Sequence, residues 1–471
     1  MGNTTTASVR VRKLHRRSQP SKISPSPSVA FAVGQFGWAL LSGIISNWLV
    51  YFYQPDQEAI SQGQTVFVPQ GLVVLGIVTV VGGITAFARF FDAFVDPAVA
   101  SLSDRCDAKS GRRMPFLKFA ALPLAVVTVL VFWSPINGTS WVNAAFLFVT
   151  VIGYYIALTF YCTPYNALIA ELGHDSKQQL TISTAISFTW VAGTAIAYVA
   201  PVIWGAFVPM MGRITAIRVT FTIMAAVAFV CMLVPPLAIR EKDYVNSHPT
   251  SESTIESLKQ TFGDGEFRKF VCSDVVYWVA ITTFQTGLPF FVTSLLKLPE
   301  TTTTIYFVLM TGVSVLFYLP VNILANKVGK KRLLLVAFVI FTCAFAFAGA
   351  LGSAVLGFIP AMAQGLALSV VGAIPMAAFG ILPQAIVANI ADASSKTTGQ
   401  DRQGMFYAAR TFAMKMGQSV AMLLFTGVST IGMASGAGYR IAAVCAAVLC
   451  GLGGIVFAFY NEKKVLGVLE T

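Results

Sequence analysis

A series of long apolar segments, separated by short polar ones, constrains this chain more than any other feature of its sequence. Each is long enough to cross a bilayer as a helix, which takes about 20 residues. The twelve segments are 29–54, 72–103, 115–135, 140–170, 180–207, 216–239, 268–297, 302–327, 331–352, 355–390, 403–432 and 438–460. Only 11% of the 471 residues are charged, whereas soluble domains carry roughly 25% charged residues. The sequence therefore predicts an all-α membrane protein with twelve transmembrane helices.

The positions of the basic residues predict the orientation of these helices. Most of the 32 lysines and arginines fall in the N-terminal tail and in loops that share its side of the membrane. The four in the opposite loops are Arg213, Arg218, Lys297 and Arg440. Such a bias is typical of cytoplasmic loops, so both termini are expected in the cytoplasm, with the protein in the plasma (inner) membrane. It also explains the net charge of +12 without nucleic acid as a partner.

One polar stretch divides the chain into two halves. Residues 240–267 form the longest polar interval between spans, with six spans on each side. The predicted units are a basic cytosolic tail (1–28), an N-terminal half (29–239), this linker, a C-terminal half (268–460) and a short cytosolic tail (461–471). Apolar residues in the linker have the spacing of an amphipathic helix on the membrane surface, although a solvated linker helix explains them equally well. Two six-helix halves are the architecture of many secondary transporters.

The halves also repeat a short turn between their second and third spans. Asp104–Arg113 and Asn326–Arg332 each contain a glycine followed by adjacent cations. A basic inner loop alone follows from the charge bias, but its recurrence at equivalent positions favours an internal repeat. The charged residues of the first turn, with an acid from the second half, are candidates for a cytoplasmic gate. These candidates are Asp104, Arg105, Arg112, Arg113 and Asp392.

Charged residues inside the spans are the candidates for function, since each costs about 2.5–3.5 kcal/mol at bilayer depth by insertion scales. Span 2 carries Arg89, Asp92 and Asp96, and the two aspartates share one helix face because they are four residues apart. Two close carboxylates form a site for a hard cation or a proton. Lys415 on span 11 is expected to approach the pair and replace the cation when the site is empty. Alternatively, Arg89 and Lys415 only neutralise the two acids.

Two further intramembrane charges have more than one interpretation. Arg410 lies five residues before Lys415 and either binds an anionic or polyhydroxylated substrate or extends to the cytoplasmic side as a gate charge. Asp274 lies close to Arg268 and Lys269 and is predicted to be an interfacial cap or part of an ion pair. A membrane-embedded enzyme is disfavoured because no paired His/Cys metal spacing or nucleophile motif occurs. No cofactor is expected apart from the coupling ion.

Three segments resemble the glycoside–pentoside–hexuronide:cation symporters, the melibiose permease family of the major facilitator superfamily. They are Ala88–Pro97, Pro164–Leu168 and Gly404–Gln418. The resemblance implies a major facilitator fold and a monomeric, lipid-embedded symporter that imports a small sugar or glycoside with Na⁺ or H⁺ by alternating access. It implies that the residues of the cation site are Asp92, Asp96, Thr159 and Lys415, with Na⁺ or H⁺ at the two aspartates. The substrate-side residues that it implies are Arg89, Tyr165, Asn166, Arg410, Thr411 and Gln418.

The chain departs from the melibiose permease pattern at several positions. Cys162 and Ala39 replace acids on spans 4 and 1, Asn166 replaces a sugar-stacking tryptophan, and Val95 replaces an asparagine. These changes remove most of the carboxylates that hold a galactoside. Together with Arg410, which replaces a glutamine, they favour an acidic substrate such as a uronide or a sulfonated sugar.

Two other functions remain open from the sequence. A branch of the same superfamily carries lysophospholipids with Na⁺, and it resembles this chain in the span-2 aspartate pair and in the turn Gly111–Pro115. A third alternative is a non-transporting sensor on a transporter scaffold, which the retained aspartates and Lys415 disfavour.

Overall fold

The computed structural model describes residues 25–76, 78–106, 108, 110–172, 176–244, 260–398, 403–432 and 435–470. Within these residues the protein is helical, and extended pairing is limited to isolated bridges at Val74–Val78 and Ala108–Gly111. Residues 1–24 of the predicted N-terminal tail and residues 245–259 of the predicted linker, which include the first part of its amphipathic segment, lie outside the described residues.

The described helices follow the order of the apolar segments. They are α1 (Pro25–Tyr53), α2 (Gln57–Ser61), α3 (Val80–Asp104), α4 (Met114–Val131), α5 (Trp141–Leu172), α6 (Ser176–Met211), α7 (Arg213–Ala238), α8 (Glu241–Tyr244), α9 (Gly265–Phe290), α10 (Thr301–Val328), α11 (Lys330–Ala350), α12 (Ala361–Thr398), α13 (Gln403–Val428), α14 (Ala437–Ala458) and α15 (Glu462–Glu470). A π-helical turn, Phe291–Leu295, continues α9, and a 3₁₀ turn, Ala354–Leu356, precedes α12.

Ten of the described helices are long and apolar enough to cross a membrane. The other two long helices are α3, with 25 residues, and α13, with 26. At about 1.5 Å per residue each reaches roughly 38 Å, more than the ~30 Å hydrocarbon core of a bilayer. These two helices carry five of the six intramembrane charges that the sequence singles out, and the sixth, Asp274, lies on α9. The predicted all-α membrane fold is therefore confirmed.

One predicted boundary is wrong by eight residues, about two helical turns. The apolar run from residue 72 was predicted as part of span 2, but α3 begins at Val80. The residues before it form a tight turn closed by the Val74–Val78 bridge, with Leu75 at φ +54° and 88% exposed. Apolar composition alone does not distinguish such a turn from a helix.

The two halves meet along three pairs of helices. These pairs are α3 with α13, α6 with α10, and α1 with α9. When only the long helices are counted, the second helix of each half contacts the fifth helix of the other half. The first helices of the two halves contact each other. This reciprocal pattern is that of two parallel repeats related by an axis along the membrane normal. Because the number of successive long helices is even, the chain ends at the membrane face at which α1 begins. We name this face the terminal face and the opposite face the distal face.

Candidate functional site

Asp92 and Asp96 on α3 meet Lys415 on α13 about midway along both helices. The ammonium nitrogen of Lys415 lies 2.8 Å from Asp92 Oδ2 and 2.6 Å from Asp96 Oδ2. The exposed fraction of the side chain is 1% for Asp92, 12% for Lys415 and 25% for Asp96. The structure thus brings together the three charged residues predicted for the cation site and joins the halves through them.

Two threonines on α5 complete the oxygen set around this ion pair. Thr159 Oγ1 donates a hydrogen bond of 2.5 Å to Asp92 Oδ1, and Thr163 Oγ1 donates one of 3.1 Å to Asp96 Oδ1. The threonines match the aspartates because both pairs are spaced by four residues, one helical turn. Thr163 was missed by the sequence analysis, although its spacing from Thr159 was a usable signal. Carboxylate and hydroxyl oxygens are ligands that suit hard cations.

Arg89 balances the charge of this cluster. It lies three residues before Asp92 on α3, and its guanidinium carbon is 4.8 Å from the centre of the Tyr155 ring. Its Nε is buried and has no hydrogen-bond partner among the described residues. With Lys415, Arg89 gives two positive charges against the two aspartates, so the cluster is neutral as a whole.

Arg410 lies in a separate ion pair within the C-terminal half. Its Nε is 2.8 Å from Asp274 Oδ2 and its second guanidinium nitrogen is 3.1 Å from Oδ1, which makes the pair bidentate. Both side chains are buried, with 10% and 3% exposed. The ion pair expected for Asp274 is present, and its cation is Arg410 on α13. The expectation that Arg410 extends to the cytoplasmic side is wrong, because Asp274 holds it inside the bundle. Its role toward substrate stays a prediction.

The remaining substrate-side residues lie in different environments. Tyr165 is fully buried, stacks on Phe31 at 4.2 Å and donates a 2.5 Å hydrogen bond to the Phe31 carbonyl. Its expected contact with substrate is therefore corrected to an anchor between α5 and α1. Asn166 and Thr411 are exposed, and Thr411 bonds a carbonyl of its own helix. The buried Oε1 of Gln418 has no partner among the described residues. Contacts of these three with substrate stay predictions.

A second polar cluster joins the halves at the distal face. Two guanidinium nitrogens of Arg213 donate to Glu300, at 2.7 Å to Oε2 and 3.1 Å to Oε1. Trp204 Nε1 donates to Oε1 at 2.5 Å, and the Tyr51 hydroxyl to Oε2 at 3.0 Å. The side chains of Arg213 and Glu300 are 4% and 11% exposed. We name these four residues the distal clamp.

Other cross-half hydrogen bonds surround the distal clamp. Asp56 Oδ2 accepts from Thr293 Oγ1 at 2.6 Å and from Ser294 Oγ at 2.5 Å, both in the π-helical turn after α9. Gln54 Nε2 donates to the backbone carbonyl of Thr426 at 2.9 Å. The distal face is therefore closed. The role of Glu300 could not be predicted from the sequence, because an isolated loop acid carries no local signal of a partner.

The repeated turns at the terminal face share one arrangement. The Glu241 carboxylate accepts the backbone N–H groups of Arg112, Arg113 and Met114, just before and at the start of α4, at 2.9 to 3.0 Å. The Glu462 carboxylate accepts those of the first two residues of α11 at 2.9 and 3.1 Å. The glycine that permits each turn has a positive φ, +124° at Gly111 and +94° at Gly329. A carboxylate at a helix N-terminus is stabilising. The structure thus shows the predicted internal repeat.

The predicted cytoplasmic gate is only partly described. Arg113 pairs with Asp104 at 2.9 Å, which is a contact inside the first half and not a bond between halves. Arg105 is exposed. A cross-half role for Asp104, Arg105, Arg112, Arg113 and Asp392 stays a prediction, and residues 399–402 lie outside the described part.

Comparison with known proteins decides the family. The model of the family described as MFS/sugar transport protein matches residues 30–461. The chain belongs to this family. It is thus a multi-pass membrane transporter and not an enzyme.

Named relatives of this transporter are distant. The inner membrane symporter YicJ of Escherichia coli (strain K12) is 25% identical over 47% of this chain and 47% of its own. The isoprimeverose transporter of Lactiplantibacillus pentosus is 24% identical over 36% of this chain and 32% of its own. The glucuronide carrier protein homolog of Escherichia coli (strain K12) is 26% identical over 25% and 28%. The alignments thus cover less than half of each of these relatives.

Solved structures agree on the fold of this transporter. The nucleoside transporter NupG is 14% identical, with a TM-score of 0.61 over 92% of this chain and 100% of that one. A bacterial homologue of the human drug peptide transporters PepT1 and PepT2 is 11% identical, with a TM-score of 0.66 over 95% and 99%. The predicted major facilitator fold is therefore confirmed.

Proposed function

We propose that this protein is a cation-coupled symporter that imports a sugar, a glycoside or an acidic sugar derivative by alternating access. The observation that carries the proposal is the ammonium of Lys415 held between Asp92 and Asp96 across the two halves. The relatives, which include an isoprimeverose transporter and a glucuronide carrier homolog, support this substrate class.

The coupling cation competes with Lys415 for the two aspartates. Na⁺ at the carboxylates, or a proton on one of them, cancels the negative charge that holds the ammonium. Because Arg89 and Lys415 already balance Asp92 and Asp96, an added cation leaves one positive charge in excess. An uncompensated buried charge costs several kcal/mol. Cation loading therefore releases Lys415 from the pair and loosens the tie between the halves.

The released lysine explains why the cation alone does not drive the cycle. Lys415 without its aspartates is itself an unpaired charge in a largely buried position. A substrate carboxylate, or a set of hydroxyls next to Lys415 and Arg89, supplies the missing partner. Loading both cation and substrate then allows the halves to reorient. Since Asp274 already holds Arg410, the preference for an acidic substrate rests on Lys415 and Arg89.

The cycle requires the distal face to open. In the proposed orientation both termini are cytoplasmic and the protein lies in the plasma (inner) membrane, so the distal face is the outer one. The closed distal clamp represents the stage at which the site has no access to the outside. Substrate entry from outside then needs the ion pair between Arg213 and Glu300 to separate.

Uptake into proteoliposomes tests the proposal. A Na⁺ or H⁺ gradient is imposed, and accumulation of isoprimeverose and of a methyl glucuronide is measured for the native protein. We expect one of the two gradients to drive accumulation, and Asp92→Asn to abolish it. Glu58→Gln, a change of an exposed acid on α2, is the matched control and should leave accumulation intact.

Three outcomes would contradict this assignment. Gradient-driven accumulation that survives both Asp92→Asn and Asp96→Asn would disprove the coupling role of the aspartates. Uptake of a lysophospholipid in place of any sugar would replace the substrate class. Sugar binding in a thermal-shift assay, without flux under either gradient, would favour the sensor.

A further inference from the structure

A polar stripe runs along α6. Ser183, Ser187, Trp190 and Thr194 share one face of this helix, because they are spaced four, three and four residues apart. Ser183 and Ser187 are exposed, and Trp190 is 40% exposed. Polar residues within a membrane-spanning helix almost always face the interior of the bundle or a water-filled cavity. The stripe therefore indicates that this face of α6 is turned away from lipid.

The contacts on either side of the stripe show which space it faces. On one side α6 packs closely on α1, since a Cβ at Gly193 would lie 2.7 Å from a backbone oxygen of α1. On the other side the Tyr198 ring stacks on Phe307 of α10, in the other half, with 3.5 Å between the ring centres. At about 100° per residue the stripe falls between these two directions, and the exposed side chains of Phe188 and Ile196 lie on the opposite side. The stripe thus lines the space between the two halves.

Trp190 meets a second tryptophan at the edge of this space. Its ring centre lies 4.9 Å from that of Trp38 on α1, and the two ring planes are inclined by 59°. Trp38 thus holds the Trp190 ring in place while part of that ring stays open. The Nε1 of Trp38 is buried and has no hydrogen-bond partner among the described residues. Because buried polar groups in folded proteins are nearly always paired, this N–H points to a ligand oxygen as its partner.

The tryptophan pair lies at the depth of the cation site. As the first and fourth long helices, α1 and α5 run antiparallel, and a Cβ at Gly34 would lie 3.0 Å from the Tyr161 hydroxyl of α5. Trp38 is four residues further along α1, and Thr159 is two residues back along α5, so the two lie within about one helical turn in depth. Thr159 donates to Asp92. A ligand at the tryptophans is therefore at the depth of the candidate cation site.

A tryptophan face beside hydrogen-bonding groups suits a sugar. A pyranose ring presents C–H groups on its faces and hydroxyls at its rim. Ligand sites are lined mainly by apolar and aromatic side chains, with a few polar groups that fix orientation, and tryptophan combines a large apolar face with one N–H donor.

We propose that the sugar ring of the substrate stacks on Trp190, supported by Trp38, with its charged or hydroxyl rim toward Lys415 and Arg89. This inference rests on the proposed function, since it assigns the residues that bind the ring in the same site.

Sugar binding to the full-length protein tests the proposal. Isoprimeverose and methyl glucuronide are titrated separately, by isothermal titration calorimetry, into the native protein and its variants. An aromatic face that shields about two CH groups of a sugar contributes about tenfold in affinity. For each sugar that the native protein binds, we therefore expect Kd to rise about tenfold in Trp190→Leu, and Trp190→Phe to restore most of the affinity. Trp141→Leu, at a 60% exposed tryptophan where α5 begins at the distal face, is the matched control and should leave Kd unchanged.

Cysteine labelling in proteoliposomes tests the orientation of the stripe separately from affinity. N-ethylmaleimide reacts with the thiolate, which forms in water and not in lipid. Trp190→Cys should be labelled above the level of the native protein, and saturating sugar should reduce this labelling. Phe188→Cys, at a 64% exposed residue on the lipid side of the same helix, is the control and should stay near the native level.

The outcomes separate the stacking role of Trp190 from the proposed function. An unchanged Kd in Trp190→Leu, or an equal loss in Trp141→Leu, would overturn the stacking role and leave the proposed function standing. Labelling of Trp190→Cys that does not exceed that of Phe188→Cys, or that sugar does not reduce, would do the same. If the native protein binds neither sugar, the substrate class of the proposed function is wrong, and the stacking role is overturned with it.

Discussion

Two buried ion pairs join the halves of this transporter, and they differ in the cation that forms them. In the distal clamp an arginine meets one carboxylate through two nitrogens, and Trp204 and Tyr51 donate to the same carboxylate. In the central cluster a lysine meets two carboxylates through a single nitrogen. The guanidinium of Arg213 is a rigid fork, whereas the ammonium of Lys415 is a point charge on a flexible stem.

The difference indicates that the central cluster and the distal clamp have different roles. A small cation can take the place of an ammonium, because both are compact charges that need only oxygen ligands. It cannot reproduce the directed hydrogen bonds of a guanidinium. In the central cluster, the coupling ion can therefore replace the ammonium of Lys415. The distal clamp, in contrast, is expected to be either fully formed or fully broken. The ion pair inside the C-terminal half, Asp274 with Arg410, also uses arginine, in agreement with a fixed contact.

Removal of the Glu300 carboxylate should give the largest effect. In Glu300→Ala the buried Arg213 loses its counter-ion, and breaking a buried pair in this way costs about 3–5 kcal/mol. We expect the distal face to open. A cysteine at Ser429, which is 3% exposed and bonded to Gln54 of the other half, reports this opening. Its labelling by a membrane-impermeant maleimide should rise about 100-fold or more.

The control for this experiment is Glu58→Ala with the same Ser429→Cys reporter. Both proteins are first checked for a single peak in size exclusion, so that unfolding is not mistaken for opening. An equal rise in labelling in the Glu58→Ala protein would show that the distal clamp does not hold the face closed.

Exchange of lysine for arginine in the central cluster comes next. In Lys415→Arg a bidentate fork should hold Asp92 and Asp96 too firmly for the coupling ion to displace it. We expect gradient-driven uptake to fall about 100-fold, equivalent to about 2.7 kcal/mol, with no loss of thermal stability. Lys327→Arg is the matched control. Normal uptake in Lys415→Arg would mean that the coupling ion does not displace Lys415 from the two aspartates.

The reverse substitution, of arginine by lysine, tests whether the ion pair of Arg410 with Asp274 is a fixed contact. Arg410→Lys replaces a bidentate contact with Asp274 by a single one, which should lower stability by about 1–2 kcal/mol and leave coupled uptake in place. Thermal unfolding and the uptake KM are measured together, with the exposed Arg332→Lys as control. A raised KM with unchanged stability would instead identify Arg410 as a ligand of the substrate.

Much of this architecture could be predicted from the sequence because it follows from local rules. Apolar length predicts the helices, and the cost of charge in a membrane singles out Asp92, Asp96 and Lys415. The sequence did not reveal the partners of Glu300 and Arg410. Arg213 is 87 residues from Glu300 and Asp274 is 136 residues from Arg410, and no spacing rule connects residues so far apart. Side-chain pairing between distant helices is set by the packing of the whole bundle.

The smallest expected effect identifies the coupling ion. Thr163→Val removes the hydroxyl that donates to Asp96 at 3.1 Å. If the ion is Na⁺, the site loses an oxygen ligand, and the half-saturating Na⁺ concentration for uptake should rise about threefold. If the ion is H⁺, the site needs no oxygen ligand for Na⁺, and uptake should not depend on the Na⁺ concentration in either protein. Thr150→Val on the same helix, whose hydroxyl bonds only backbone carbonyls of α5, is the control. If uptake depends on Na⁺ and the response of Thr163→Val is no larger than that of this control, Thr163 is not a ligand of the ion.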